Sequence, residues 1–288
     1  MTRWVLRTGA GILGVALAVS LGTVLLPEPV HSPVTGPPTA PVAPSATATP
    51  APHQHEHQRR RAVRPAPLHG LTIALDPGHQ LGVHNFPAQA NRLVPAGGFR
   101  KPCQTTGTAT DTGVPEATVV WRIVRAVRAR LVRLGATVRL TRTSNSEHRW
   151  GPCVDARGRF GGKVGARLTV SVHADGAGPD EHGFHVIAPA RSSVPHGHRT
   201  AAPSLRLAKA LRAGLEQQGF VRSNYVGGGT ALSIRTDLAT LNLSVVPVAM
   251  IEIGNMRNAH DAATMTSRPG RSRYAAAIVT GIRRFLRR

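Results

Sequence analysis

The chain has 288 residues, 41% of them hydrophobic and only 4% aromatic. That length suits one catalytic-sized domain with a leader and leaves no room for two large ones, and its core must rest on Val, Leu, Ile and Ala. The formal net charge of +22, with only Lys101, Lys163 and Lys209 as lysines, favours anionic partners through long-range attraction. A joint enrichment in Arg, Ala, Gly and Pro also produces such a charge as plain compositional bias. Scarce aromatics and the lack of a nucleic-acid-binding motif argue against specific nucleic-acid recognition.

In residues 1–30, Arg3 and Arg7 precede an apolar run over 9–26, the pattern of a secretory signal. The run is also about long enough to span a membrane, so a cleaved leader and a retained anchor both stay open. Contact with a membrane is expected only through this segment. Residues 31–68 are rich in Pro, Ala and Thr and lack apolar periodicity, which predicts a disordered, semi-extended linker. His53, His55 and His57 lie inside it; on a flexible chain they form no preorganised metal site, and a solvated polar stretch is the simpler reading.

A single domain is expected over 69–288. The apolar run 71–75 predicts a buried strand that leads into Asp76-Pro77-Gly78-His79. Residues 80–114 are rich in Gly, Pro, Gln, Asn and Thr, and such long irregular stretches are usually functional or disordered. Pro115 opens a helix whose first turn holds Glu116; Val120, Ile123, Val127 and Leu131 recur on one face, and Gly135 ends it. Strands are predicted over 136–140, 168–172, 183–187 and 245–253. Helices are predicted over 154–166, 204–218 and 274–286. Alternating strands and helices imply an α/β sheet covered on both faces, with ligands bound beyond the carboxyl ends of its strands.

Cys103 and Cys153 are the only cysteines and belong to no C-x-x-C pair, which excludes a cysteine-only zinc site. In an oxidising compartment one disulfide is the simplest reading, stabilising by about 4 kcal/mol in the chain-entropy model. Two unrelated buried thiols are the alternative.

Four polar residues stand where this architecture would place a site. His79 follows the first strand, His173 ends a later one, Glu116 starts the long helix, and Glu252 interrupts an apolar strand. Two imidazoles and one carboxylate are the protein ligands of a catalytic zinc that keeps one position open. A second carboxylate then serves as acid and base. Singly, each has a plainer explanation: an incidental histidine, or a glutamate that complements a helix dipole. Glu252 is the exception, because a carboxylate in an apolar strand is costly unless it is paired or metal-linked.

Four segments together carry a resemblance: Leu75-Asp76-Pro77-Gly78-His79, Gly113-Val114-Pro115-Glu116, Ser171-Val172-His173-Ala174-Asp175, and Glu252-Ile253-Gly254-Asn255-Met256-Arg257-Asn258. In order and rough spacing the chain resembles the zinc-dependent N-acetylmuramoyl-L-alanine amidases of the amidase 3 type, most of all the compact actinobacterial and mycobacterial members. The resemblance implies a single α/β domain with a mixed, mostly parallel central sheet flanked by helices on both faces. It implies Zn2+ on His79, Glu116 and His173, with Glu252 as catalytic acid/base. It also implies hydrolysis of the amide between N-acetylmuramic acid and L-alanine in peptidoglycan. Two departures stand out: Gln80-Leu81 follows the first histidine where many relatives have a second glycine, and Asp175 stands where many have asparagine. A secreted, periplasmic or wall-associated monomer is expected, with peptidoglycan as partner and anionic wall polymers as a further one. A zinc peptidase acting within the stem peptide and a non-catalytic wall-binding protein are the rival readings.

Overall fold

The computed structural model describes residues 36, 66–193 and 197–287. The segment 1–30 expected to direct export, nearly all of the expected linker and the His53–His57 tract lie outside the described residues. Leu68, one residue before the expected domain start, is buried in the core and its amide donates to the Leu134 carbonyl.

The elements follow in chain order: β1 (Thr72–Pro77), α1 (Pro87–Asn91), β2 (Leu93–Pro95), β3 (Arg100–Pro102), α2 (Glu116–Arg133), β4 (Thr137–Leu140), α3 (Val154–Lys163) and β5 (Leu168–Asp175). Then come β6 (His185–Pro189), α4 (Gly197–Gln217), β7 (Leu232–Arg235), α5 (Ala239–Asn242), β8 (Val248–Asn255), α6 (Ala259–Thr266) and α7 (Arg268–Leu286). Six strands form one sheet in the order β4-β1-β5-β8-β6-β7. β4, β1, β5 and β8 run parallel, while β6 is antiparallel to β8 and parallel to β7. The mixed, mostly parallel sheet is therefore as expected.

Side-chain alternation sorts the strands onto two faces. Val170, Val172 and Ala174 of β5, Ala249, Ile251 and Ile253 of β8, and Val186 and Ala188 of β6 enter the main core with the apolar face of α2, α4 and α7. The intervening positions face the other side, where Ile187, Val248 and Met250 meet Leu241 of α5 in a smaller core. That second face carries Ser171, His173 and Glu252, so the alternation that builds the core also places the chemistry on one surface.

Several elements differ from the sequence expectations. The α2 helix begins at Glu116 with Pro115 as its N-cap and stops before Gly135, whose φ of 92° needs glycine. The α4 helix starts at Gly197, seven residues before 204, and continues through Pro203, which has no N–H and so forgoes one helical hydrogen bond. Residues 80–114 are not featureless: they hold a 3-10 turn, α1 and the β2–β3 hairpin. β7 and α6 had no clear apolar pattern, and α6 is set by Asn258, whose side chain accepts from the amides of His260 and Asp261.

Candidate metal centre

His79 stands in the turn that follows β1, at a φ of 55° that non-glycine residues seldom adopt. Two buried guanidinium groups hold this backbone. Arg157 donates to the His79 carbonyl (2.6 Å), the Pro77 carbonyl (2.9 Å) and Asp76 Oδ1 (2.6 Å). Arg142 donates to the carbonyls of Pro77 (3.0 Å), Gly78 (3.2 Å) and Ala117 (2.8 Å). Asp76 also accepts from Thr141 and Ser171, at 2.5 and 2.7 Å. Burial alone would keep the Asp76 carboxyl neutral, but Arg157, His173 and the two hydroxyls outweigh it and hold it down at about 2. Gly78 leaves the space into which the His173 ring packs; a Cβ there would collide with the imidazole.

The His79 ring is oriented by its Nδ1, which donates to the Thr105 carbonyl at 2.8 Å. A carbonyl only accepts, so in the neutral ring the proton sits on Nδ1 and Nε2 presents a lone pair. That Nε2 lies 3.1 Å from Glu116 Oε2 and 3.2 Å from His173 Nδ1. Glu116 Oε1 is 3.0 Å from the same His173 nitrogen. The Glu116 carboxylate is 3% exposed and accepts backbone amides from Thr108 and Ala174, each at 3.1 Å. Burial opposes its ionisation, but the two imidazoles hold its carboxyl well below the usual carboxylate range. Burial likewise opposes charging of His79, and the Glu116 carboxylate overrides it and raises the ring's pKa.

One ligand atom from each of His79, Glu116 and His173 lies within 4.8 Å of the others. Lone pairs facing one another at this range repel unless a proton or a metal ion lies between them. The donor set is that of a three-ligand metal site with an open position, and the arrangement is able to hold an ion. Gly107, at φ 77°, completes the cradle: a Cβ there would stand 2.5 Å from Glu116 Oε2 and 2.9 Å from His79 Cδ2.

Glu252 stands beside this group. In register it is the neighbour of His173 on β5 and of His185 on β6. Burial, the Asp175 charge and the Glu116 charge push its carboxyl well above the usual range, with Arg235 opposing. A cavity of about 190 Å³ opens here, lined by His79, His173 and Glu252, with Leu238, Ala239 and Met250 as its apolar wall. The four residues expected from the sequence are thus brought together.

Reading the sequence missed Arg157, Arg142, Thr105, Thr108, His185 and Tyr225. Arg157 lies in the helix expected over 154–166, where nothing in the pattern sets it apart from other arginines, and only its burial reveals it. The Thr105–Thr108 loop lay in the irregular 80–114 stretch, where the lack of pattern was itself the signal. The Cys103–Cys153 disulfide is present; it ties this loop to the start of α3, one turn from Arg157.

A family model described as N-acetylmuramoyl-L-alanine amidase matches residues 73–284. The N-acetylmuramoyl-L-alanine amidase Rv3717 of Mycobacterium tuberculosis (strain ATCC 25618 / H37Rv) is 39% identical over 223 residues, covering 77% of this chain and 89% of the relative. The crystal structure of the amidase Ami1 from Mycobacterium smegmatis superimposes with a TM-score of 0.71 at 40% identity, covering 76% of this chain and 98% of that one. The apo form of Ami1 from Mycobacterium abscessus gives a TM-score of 0.71 at 41% identity, covering 76% and 100%. This chain belongs to the N-acetylmuramoyl-L-alanine amidase family of hydrolases.

Proposed function

We propose that the chain is a zinc-dependent amidase that acts outside the membrane and separates L-alanine of the stem peptide from N-acetylmuramic acid in peptidoglycan. The observation that carries this reading is the convergence of His79, Glu116 and His173 within 4.8 Å, beside Glu252, in a member of this family. These three residues would hold the metal, with Thr105 fixing the His79 tautomer. Zinc bound there would lower the pKa of a water toward neutrality and polarise the scissile carbonyl.

Glu252 accepts the proton of the attacking water as the new C–O bond forms. It returns that proton to the nitrogen as the C–N bond breaks, so acid and base are the same carboxyl. Burial and the neighbouring Asp175 and Glu116 charges favour its protonated form, and a bound dication would favour the ionised one, so the carboxyl is placed to carry a proton in both directions.

Digestion of purified peptidoglycan by zinc-loaded protein, read by mass spectrometry, tests the reading. Free peptides that begin with L-alanine are expected, and cleavage within the stem instead would identify a peptidase. Glu252→Gln is expected to lower turnover by a factor of about 100 to 10,000 with zinc content unchanged. Near-normal turnover in that variant would remove Glu252 from the role. His173→Ala is expected to lose the metal.

A further inference from the structure

The side of Glu252 away from the candidate metal ligands carries a second polar group that the reaction above does not use. β8 lies between β5 and β6, so His173, Glu252 and His185 form a row across three strands on one face, each about 4.8 Å from the next. After His173 the register of β5 against β8 slips, and Asp175 pairs with Asn255. The Asp175 carboxylate reaches across the end of β8: its Oδ2 lies 3.4 Å from His185 Nδ1 and accepts from the Tyr225 hydroxyl at 2.7 Å. His185 is 3% exposed and its Nδ1 makes no hydrogen bond, although it is aimed at that carboxylate. Tyr225 closes the wall, its ring edge-on to His185 at 6.2 Å.

Neither neighbour supplies Asp175 with a positive charge. Burial, more than the opposing pull of Asp175, lowers the His185 pKa and keeps the imidazole neutral. Burial and the Asp175 hydrogen bond keep the Tyr225 phenol protonated. Arg235, a cation within electrostatic reach of Asp175, is held by both carboxylate oxygens of Asp237, at 2.8 and 2.5 Å. Both fixed contacts of Asp175 go to Oδ2. Its Oδ1 has no partner among the described residues, and the side chain is 29% exposed. His185, which Asp175 touches, is the cross-strand partner of Glu252, so the two carboxyls flank one imidazole position on the same sheet face.

Resting on the function proposed above, we propose that Asp175, held by Tyr225 and His185, is a binding subsite for a primary ammonium group: the amino terminus that cleavage frees on the stem peptide. Amide hydrolysis turns an uncharged N–H into an amine that takes up a proton near neutral pH. The acyl half remains on the side of His79, Glu116 and His173. The amine therefore forms on the far side of Glu252, where Asp175 Oδ1 waits for a charged donor. An asparagine, which the family resemblance leads one to expect at this position, would offer a neutral oxygen in its place.

The test uses the full zinc-loaded chain and two probes, L-alanyl-γ-D-glutamate with a free amine and the same dipeptide N-acetylated. Calorimetric titration at pH 7 is expected to show the free-amine form binding at least about tenfold tighter, as one charge-assisted contact allows. Asp175→Asn is expected to abolish that difference without changing zinc content. Tyr225→Phe, which leaves the carboxylate in place but frees its orientation, is expected to reduce it by about threefold. Equal binding of both probes by the wild-type protein, or a preference that survives in Asp175→Asn, overturns the subsite. If the same preparation still releases peptides that begin with L-alanine, the amidase reading stands and the subsite alone falls; if it releases none, both fall.

Discussion

Asp76 is wholly buried and bonded to a buried arginine, so its removal strands a cation. Asp76→Asn is expected to cost about 3 kcal/mol at pH 7, because Arg157 is left charged without a counter-ion. Its pH dependence has a definite sign. The folded carboxyl sits at about 2 against an ordinary 3.8, so its stabilisation is fully present above about pH 4 and fades as pH falls through 2. Urea unfolding curves of wild type and variant should therefore converge on acidification; a gap that stays constant to pH 2 would sink the assignment. At this scale the sequence spoke unevenly. Glu252 was legible because a carboxylate in an apolar strand is anomalous by itself, and His79, Glu116 and His173 because each ends or begins an element. Arg157 and Thr105 were not, since their roles exist only once distant segments meet.

Among the elements, helices with a sustained apolar face and strands with strong alternation were legible: α2, β5 and β8 came within a few residues. β7, α5 and α6 were not, because they are short and are fixed by partners across the fold or by a cap rather than by pattern. The 80–114 segment is the instructive case. Three of its anchors bear on the site: Thr105 to His79, Thr108 to Glu116, and Cys103 to Cys153. The disulfide closes a separation of 50 residues, for which chain entropy gives about 4 kcal/mol. Replacing both cysteines by serine is expected to lower the melting temperature by roughly 10 °C for a domain of this size. Zinc affinity should fall as well, because Thr105 and Thr108 lie only a few residues beyond the lost anchor. Calorimetric melting and zinc titration check the two effects separately. A variant that melts lower but binds zinc as tightly as wild type would confine the disulfide to stability.

For the molecule as a whole, the charge of +22 matters less by its size than by where it gathers. A cavity of about 320 Å³ between α4 and α7 is lined by Arg167, Arg206, Lys209, Arg212 and Arg284, and among the described residues only Arg212 has an acidic partner, Glu216 at 3.6 Å. Arg167 immediately precedes β5, whereas His173 lies near the other end of that strand; six residues of strand separate them by roughly 20 Å. An anionic polymer held at this groove would therefore leave the cleft open. Exposed cations are screened by salt, while a buried metal centre is screened far less. Retention on sacculi that carry anionic polymer is expected to drop about tenfold between 50 and 300 mM salt. Turnover of a short muramyl peptide should change less than about twofold over the same range. Arg206→Glu together with Lys209→Glu should reproduce the loss of retention at low salt with turnover intact. If turnover fell in parallel with retention, the charge would act through the cleft itself, and the groove would have no separate part in holding the enzyme to its substrate.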